Sequence, residues 1–341
     1  MNENPLVSIV TCTYNRAHLL PRAIRSVLNQ TYQNFELIIV DDGSIDNTEK
    51  VVKSFEDKRI IYHKHEMNKG VLAARNTGWD LATGKYWCNL DDDDELLPEA
   101  LETAVKKLNE LSAQGVRIVK FDCLDAESGK LSGSGISGKL SGSGIREEGY
   151  IFYQDILCGK NPGDYWEMLD MNLLGNHRFD ERLWGWESIL WLRLCRESPI
   201  YYFPKVLAKK YRQHGERMCN PIPSLKHMPR IILTIKAFLE EFGEEMKSLC
   251  PKYYGQILAD LGYCQLITGE KVAGRKALRD SFRYNFSFKQ RIKYLLSFIL
   301  NRDQMVSLFI INTKFFNMKQ AITSRFTAIR KLSLRSLRRA N

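Results

Sequence analysis

Four consecutive acids follow a short apolar run in the N-terminal third of the chain. Residues 86–90 have the pattern of a buried strand, and residues 91–94 are all aspartate. Such a concentration of negative charge at a strand end is unfavourable unless water or a cation compensates it. Carboxylate oxygens are the ligands that Mg²⁺ and Mn²⁺ prefer. The run therefore predicts either a divalent-cation site or an exposed turn before the next helix.

The elements that position these acids alternate along the first hundred residues. Short apolar, β-branched runs at 7–12, 35–40, 59–63 and 85–90 predict strands, and helical spacing of apolar residues predicts helices at 19–28 and 71–82. This alternation is typical of an α/β fold with helices on both faces of a mostly parallel sheet. Ligands bind such sheets at the carboxyl ends of strands. Polar residues at 11–16, 41–44 and 91–94 follow three strands, so we expect one shared site.

Taken in order, the motifs of residues 5–218 resemble those of family 2 glycosyltransferases with the GT-A fold. The motifs are VSIVTCTYNR (7–16), VDDGS (40–44), NKGVLAARNTG (68–78), ATGKY (82–86), LDDDDE (90–95) and FDER (179–182). The resemblance implies a Rossmann-like, mostly parallel sheet flanked by helices. It also implies transfer of a sugar from a nucleotide-diphosphate sugar, which we expect to be a UDP-sugar, to an acceptor hydroxyl with inversion, in cell-surface polysaccharide or glycolipid synthesis.

The same resemblance assigns the donor site. The residues expected to bind the nucleotide are Thr11, Tyr14, Arg16, Asp41, Asp42, Arg75, Asp91 and Asp92. A carboxylate can accept a hydrogen bond from the imide N–H of a pyrimidine base, and an aromatic ring can stack on the base. Asp93 is assigned to Mn²⁺ or Mg²⁺, which neutralises charge on the departing diphosphate. His214, in the motif at 211–214, is expected to complete the metal or diphosphate shell.

The acceptor hydroxyl needs a general base, which the family takes from an acidic pair before a helix. The matching stretch here is WGWESILWLRL (184–194), in which Ser188 stands where the second acid is expected. We expect Glu187 to be the base, with its pKa raised by Trp184 and Trp186. Asp180 is an alternative base, and a helix N-terminal carboxylate without a catalytic role is the alternative interpretation of Glu187. The two tryptophans are weaker candidates for stacking on the acceptor.

The chain is predicted to contain a transferase domain and a helical region. The first spans 1–218, with a nucleotide-binding half at 1–98 and an acceptor half at 99–218, and the second spans 219–341. Prolines at 221, 223 and 229 mark the boundary. A Gly/Ser-rich segment at 128–136 is repeated without change at 137–145, which predicts a flexible surface loop.

Positive charge is concentrated at the C-terminal end. The net charge is +10, and residues 289–341 contain 12 Lys or Arg and a single acid, so the rest of the chain is nearly neutral. Apolar segments at 292–300 and 305–311 among these cations are typical of a helix at an anionic membrane surface, or of one packed on protein. We expect a glycan or lipid-linked acceptor and no nucleic-acid partner, because no nucleic-acid-binding motif accompanies this tail.

The expected location is the cytoplasm, peripheral to the inner face of the cell membrane. The first residues lack a signal-peptide pattern, no apolar stretch reaches about 18 residues, and eight cysteines occur singly, as reduced thiols do. Two other classes stay open. A nucleotidyltransferase usually has a Gly-rich loop after its first strand, which TYNR at 13–16 lacks. A catalytically inactive nucleotide-sugar-binding or scaffold protein is suggested by Ser188.

Overall fold

The computed structural model describes residues 4–127, 129–131, 147–160, 164–183, 187–211, 225–285 and 288–307. These residues form two compact units, one within 4–211 and the other within 225–307. The strands of the first unit are β1 (Val7–Thr13), β2 (Phe35–Asp41), β3 (Ile60–Lys64), β4 (Tyr86–Asn89), β5 (Glu95–Leu96), β6 (Ile118–Asp125), β7 (Gly149–Ile151), β8 (Tyr165–Asp170) and β9 (Ile200–Lys210). Its helices are α1 (Leu20–Leu28), α2 (Thr48–Lys53), α3 (Val71–Leu81), α4 (Ala100–Leu111), α5 (Tyr153–Leu157), α6 (Met171–Leu174) and α7 (Ser188–Glu197).

The described strands form one mixed sheet in the order β3-β2-β1-β4-β8-β6-β9-β5, with β7 added beside β9. The first four strands are parallel to one another. Strand β8 lies antiparallel between β4 and β6. The expected α/β fold is therefore confirmed. Its four-stranded parallel part is the N-terminal half, and β6 and β9 form a further parallel pair. Because β1, β2 and β4 are parallel, their carboxyl ends lie at one edge of the sheet.

The core of this unit lies on both faces of the sheet. Strand β2 is buried along its whole length, which explains its continuous apolar run. On one face, β1 and β2 pack against apolar residues of α1 and α4. On the other face, β4, β6 and β8 pack against apolar residues of α3 and α7. Helices on both faces fix the strand ends, and so the polar residues that follow them.

Two motif glycines are explained by close packing. A Cβ atom on Gly78 would lie 2.4 Å from Cγ1 of Val10, so glycine allows α3 to approach β1. Gly43 has a φ of +83°, and its Cβ would lie 2.6 Å from the backbone carbon of Met67. The first glycine sets the position of α3, and the second sets the turn after β2.

The second unit is helical. Its helices are α8 (Met228–Leu249), α9 (Pro251–Thr268), α10 (Lys271–Ser281) and α11 (Phe288–Ile299). Buried residues of α8 recur at helical spacing, for example Phe238, Phe242 and Met246. The expected helical character of the C-terminal region is therefore confirmed. Among the described residues, no helix is both long enough and apolar enough to cross a membrane.

Some expectations fall outside the described residues, and one is wrong. Most of the repeat at 128–145 and the tail beyond residue 307 lie outside the described ranges. Within the described ranges, five cysteines are free thiols, at positions 12, 88, 123, 195 and 264. Cys158 and Cys250 each take part in a disulfide bond. The expectation that all the thiols are reduced is therefore wrong for these two.

Candidate active site

A tight turn after β4, the acid turn (residues 91–94), gathers three carboxylates. The N–H of Asp94 donates to the carbonyl of Asp91 at 3.0 Å. One carboxylate oxygen from each of Asp91, Asp93 and Asp94 lies within 4.8 Å of the other two. Three such oxygens are a donor set that fits Mg²⁺ or Mn²⁺. Asp93, the metal ligand expected from the sequence, lies in this group, and Asp94 joins it.

The fourth acid of the turn has a different environment. Asp92 is buried, and it accepts hydrogen bonds from Oγ1 of Thr13 at 2.7 Å and from Arg16 at 2.6 Å. Arg16 also donates to Asp93. Burial raises the pKa of Asp92 to about 7, against the opposing charge of Arg16. Arg16 and Asp92 thus join the ends of β1 and β4, and their contact with a nucleotide stays a prediction.

The two acids that follow β2 are buried and already hydrogen-bonded. Asp41 accepts from the hydroxyl of Tyr62 at 2.6 Å and from the N–H of Ser44 at 2.7 Å. Asp42 accepts from His65 at 2.8 Å and from the N–H groups of residues 69 and 70. These bonds fix the loop before α3. Tyr62 and His65 were not predicted from sequence, because nothing in their local pattern marks them as partners of these acids.

Two predicted nucleotide-binding residues of β1 and its loop remain available to a ligand. Thr11 is buried, and its Oγ1 has no hydrogen-bond partner among the described residues. Tyr14 is 43% exposed, so its ring is accessible for stacking. Both lie at the strand edge that carries Asp41 and the acid turn, as the sequence predicted.

Arg75 connects the acid turn to the start of α7. It is ion-paired with Glu187 and lies 3.4 Å from Asp91, between Nη2 and Oδ1. Its Nε is buried and has no partner in the part of the chain that the structure describes. An arginine between two carboxylates offsets part of their negative charge, and its remaining N–H groups can donate to a further anionic group.

Glu187 and Asp180, the two candidate bases, lie in different environments. The side chain of Glu187, at the start of α7, is 39% exposed and lines a cavity of this unit. Asp180 accepts from Arg182 at 2.6 Å, and this bond lowers the pKa of Asp180. Glu187 is likewise ion-paired, with Arg75, so its place in the lining of that cavity distinguishes it from Asp180. Trp184, Trp186 and His214 lie outside the described residues.

A cavity of about 230 Å³ lies beside the acid turn. Asp91, Asp94, Arg75 and Glu187 line it, together with polar and aromatic residues of β6, β8, β9 and α7. Several of these further lining residues had no role assigned from the sequence: Lys120, Asp164, Glu167, Trp191 and Lys210. Most of them come from strands without a recognisable motif, so local pattern gave no signal.

Two residues are exceptions: Trp191 lies in the stretch 184–194, and Lys210 precedes the motif at 211–214. The ammonium of Lys210 lies 3.1 Å from Asp164 and 3.8 Å from Asp94. Burial opposes the charge of Lys210, but these acids and Asp91 raise its pKa. The N–H of Tyr211 donates to Asp94 at 3.3 Å. The end of β9 is thereby attached to the acid turn.

Comparison with known proteins agrees with this architecture. Residues 8–154 match the family described as Glycosyl transferase family 2. A GalNAc(5)-diNAcBac-PP-undecaprenol β-1,3-glucosyltransferase of Campylobacter jejuni is 37% identical over 204 residues, which are 58% of this chain and 62% of that protein. A UDP-Glc:α-D-GlcNAc-diphosphoundecaprenol β-1,3-glucosyltransferase of Escherichia coli is 42% identical over 106 residues, 31% of this chain and 42% of that protein. The chain thus spans less than two thirds of the length of either relative.

The fold is shared with a solved structure. The structure of S. aureus TarS 1-349 in complex with UDP-GlcNAc superposes with a TM-score of 0.54 and 19% identity, over 76% of this chain and 81% of that one. The motif order, the sheet edge and the family match all agree. Residues 8–154 are therefore similar to glycosyltransferase family 2, and the N-terminal unit has the GT-A fold.

Proposed function

We propose that this protein transfers a sugar from a nucleotide-diphosphate sugar, a UDP-sugar in our expectation, to a hydroxyl group of a lipid-linked glycan. The observation that carries this proposal is that the acid turn and Glu187 line one cavity. Both relatives are named as glucosyltransferases for diphosphoundecaprenol-linked acceptors, and one of the names includes UDP-Glc. Cell-surface polysaccharide or glycolipid synthesis is the setting that agrees with such acceptors.

The donor is proposed to bind along the sheet edge. The ring of Tyr14 stacks on the base, the buried Thr11 and Asp41 hydrogen-bond the nucleoside, and Arg75 contacts the diphosphate. Asp91, Asp93 and Asp94 would hold Mn²⁺ or Mg²⁺. When bound, this cation would supply Lewis-acid neutralisation of the leaving diphosphate.

Glu187 is proposed as the general base. Its carboxylate accepts the proton of the acceptor hydroxyl while that oxygen bonds to the anomeric carbon, and the bond from this carbon to the diphosphate breaks. A single displacement of this kind inverts the anomeric configuration. Arg75 keeps the Glu187 carboxylate oriented toward the cavity through their ion pair.

The test is product release from a donor panel. The purified protein is incubated with UDP-, GDP- and dTDP-sugars plus Mn²⁺, with and without a diphosphoundecaprenol-linked sugar, and the released nucleoside diphosphate is measured. The expected result is release from one donor that increases when the acceptor is added. Binding of a donor without release would support the inactive scaffold, and release of pyrophosphate would support a nucleotidyltransferase.

We also propose that the C-terminal region associates with an anionic membrane surface. One side of α11 exposes four large apolar residues: Ile292, Leu295, Phe298 and Ile299. The cationic segment 289–341 begins in the same helix. Apolar residues beside cations are typical of interfacial helices. Co-sedimentation with vesicles of anionic lipid should decrease for Leu295→Glu, whereas equal binding by wild type and variant would contradict this proposal.

A further inference from the structure

The floor of the cavity contains a carboxylate and an ammonium group from neighbouring strands. Glu167 of β8 lies directly opposite Lys120 of β6 in the antiparallel pair. Both line the cavity that also contains Asp91 and Glu187. Since β4 and β6 flank β8, Glu167 lies in the middle of the sheet, behind the acid turn.

Glu167 differs from the other carboxylates of this cavity in its contacts. Asp91 and Glu187 are paired with Arg75, while Asp94 and Asp164 are paired with Lys210. The structure gives Glu167 no hydrogen bond or ion pair within the described residues. The ammonium of Lys120 lies 5.5 Å from the centre of the Tyr165 ring and forms no ion pair with Glu167 among the described residues. The carboxylate is therefore left available to a ligand.

Two further groups of the same cavity lack partners. The Oδ1 of Asn89 and the Nε of Arg75 are buried and make no hydrogen bond among the described residues. A buried polar group without a partner is costly, so most such groups in native proteins are hydrogen-bonded to protein, water or ligand. Burial also raises the pKa of Glu167, and the charges of Lys120 and Lys210 oppose this change.

The walls and size of the cavity indicate its occupant. Trp166 and Trp191 provide apolar surface at its lining, and the indole of Trp166 is fixed by donating to the carbonyl of Asn89 at 3.0 Å. Aromatic surface beside groups that can hydrogen-bond is typical of sites for small polar ligands. A volume of about 230 Å³ lies below the roughly 300–1,000 Å³ of pockets for drug-sized molecules. One sugar ring suits it better than a whole nucleotide sugar.

We propose that Glu167 and Lys120 bind the transferred sugar ring, with the Glu167 carboxylate accepting from two hydroxyl groups and Lys120 donating to an oxygen of the same ring. This inference rests on the function proposed above. The donor sugar is favoured over the acceptor because the cavity is continuous with the acid turn, where the diphosphate would bind.

The charge of the lining restricts the class of sugar. Five carboxylates face three cationic side chains around this cavity. A sugar acid would add a further negative charge beside Glu167, which costs binding free energy. The proposed substrate class is therefore a neutral hexose or N-acetylhexosamine with free hydroxyl groups, and uronic acids are rejected.

The test compares a nucleotide with its nucleotide sugar. Calorimetric titration with Mn²⁺ measures the affinity of wild type, Glu167→Gln and Lys120→Met for UDP and for the UDP-sugar that wild type hydrolyses. Loss of hydrogen bonds to a charged group predicts that Glu167→Gln binds the UDP-sugar about 10- to 100-fold more weakly, with UDP binding unchanged. Glu110→Gln, on the exposed side of α4, is the matched control and should behave as wild type.

The outcomes separate this inference from the proposed function. If wild type neither binds nor hydrolyses any nucleotide sugar, the proposed function fails. A second outcome is that wild type is active but Glu167→Gln weakens the binding of UDP and of the UDP-sugar equally, or changes the binding of neither. In that case Glu167 only balances the charge of Lys120, and the inference is wrong. A change confined to the KM for the acceptor would mean that Glu167 contacts the acceptor and not the donor sugar, which would also overturn the inference.

A donor analogue gives a second readout that does not depend on variant stability. If Glu167→Gln fails to fold, Glu167→Asp shortens the side chain and keeps its charge. Wild type should bind the donor more tightly than a deoxy analogue that lacks the hydroxyl in contact with Glu167. This difference in affinity should decrease in either variant. An equal difference in wild type and variant would contradict the assignment, as would tighter binding of UDP-glucuronic acid than of UDP-glucose by wild type.

Discussion

The two parts of the candidate site differ in how their polar groups are satisfied. At the sheet edge, Asp41, Asp42 and Asp92 each accept at least two hydrogen bonds from the protein. In the cavity, Glu167 and Oδ1 of Asn89 have no such bonds among the described residues. The acids of the edge are therefore held by the protein itself, whereas these two cavity groups are the ones that we propose to be reached by a ligand. Substitutions of these hydrogen-bonded edge acids should change stability, and those of the cavity acids or of the candidate metal ligands should change function.

The largest expected effect is on catalysis, at the cavity. Replacing Glu187 by glutamine keeps its shape and a hydrogen bond to Arg75 but removes the proton acceptor. We expect the transfer rate to fall by about 100- to 10,000-fold, while donor affinity changes little. Steady-state kinetics with donor and lipid-linked acceptor measures the rate.

Asp180→Asn is the matched control for this substitution, because Asp180 pairs with Arg182 at the surface. It should retain wild-type transfer. Full activity of Glu187→Gln would remove the assignment of the base, and loss of activity in Asp180→Asn alone would transfer that role to Asp180.

An intermediate effect is expected on stability, at the sheet edge. In Asp42→Asn, an amide NH₂ replaces one oxygen that accepts a backbone N–H, so a buried donor loses its acceptor. The free energy of unfolding should decrease by about 1–3 kcal/mol. Urea denaturation followed by circular dichroism measures it. An unchanged free energy of unfolding together with lost donor binding would mean that Asp42 serves the ligand and not the loop.

The smallest effect is expected at a surface pair that belongs to neither part. Arg59 donates to Asp57, and this bond lowers the pKa of Asp57 to about 2. Since the folded-state pKa is below the usual 3.8, the stabilisation is present above about pH 4 and is lost as the pH falls toward 2. Asp57→Asn should cost less than about 1 kcal/mol at pH 7. If Asp57→Asn lowered the free energy of unfolding as much as Asp42→Asn, the expected difference between buried acids and acids nearer the surface would be wrong.

The sequence predicted the sheet edge well because its residues are encoded locally. Parallel strands place their carboxyl ends together, so Asp41 and the acid turn could be located from the strand pattern alone. Gly78 belongs to a recognisable motif, and the structure shows why only glycine allows α3 to lie against Val10. In each case the position of the residue could be predicted from a nearby strand or helix boundary.

The cavity could not be predicted in the same way. Glu167 and Lys120 become neighbours only through the antiparallel pairing of β6 and β8, which the strand–helix alternation of the first hundred residues does not contain. The ion pair between Arg75 and Glu187 joins α3 to the start of α7, and spacing along the chain gives no sign of it. Contacts between distant segments depend on strand order, which one sequence does not reveal.

The most direct test of the central claim is the dependence of donor turnover on the acid turn. Release of nucleoside diphosphate is measured for wild type and Asp93→Asn with Mn²⁺ and after chelation, with Glu110→Gln as the control. We predict release by wild type and control with Mn²⁺, none after chelation, and a loss of about 1,000-fold in Asp93→Asn. Equal release by Asp93→Asn and wild type, or release that persists after chelation, would contradict the proposed role of the acid turn.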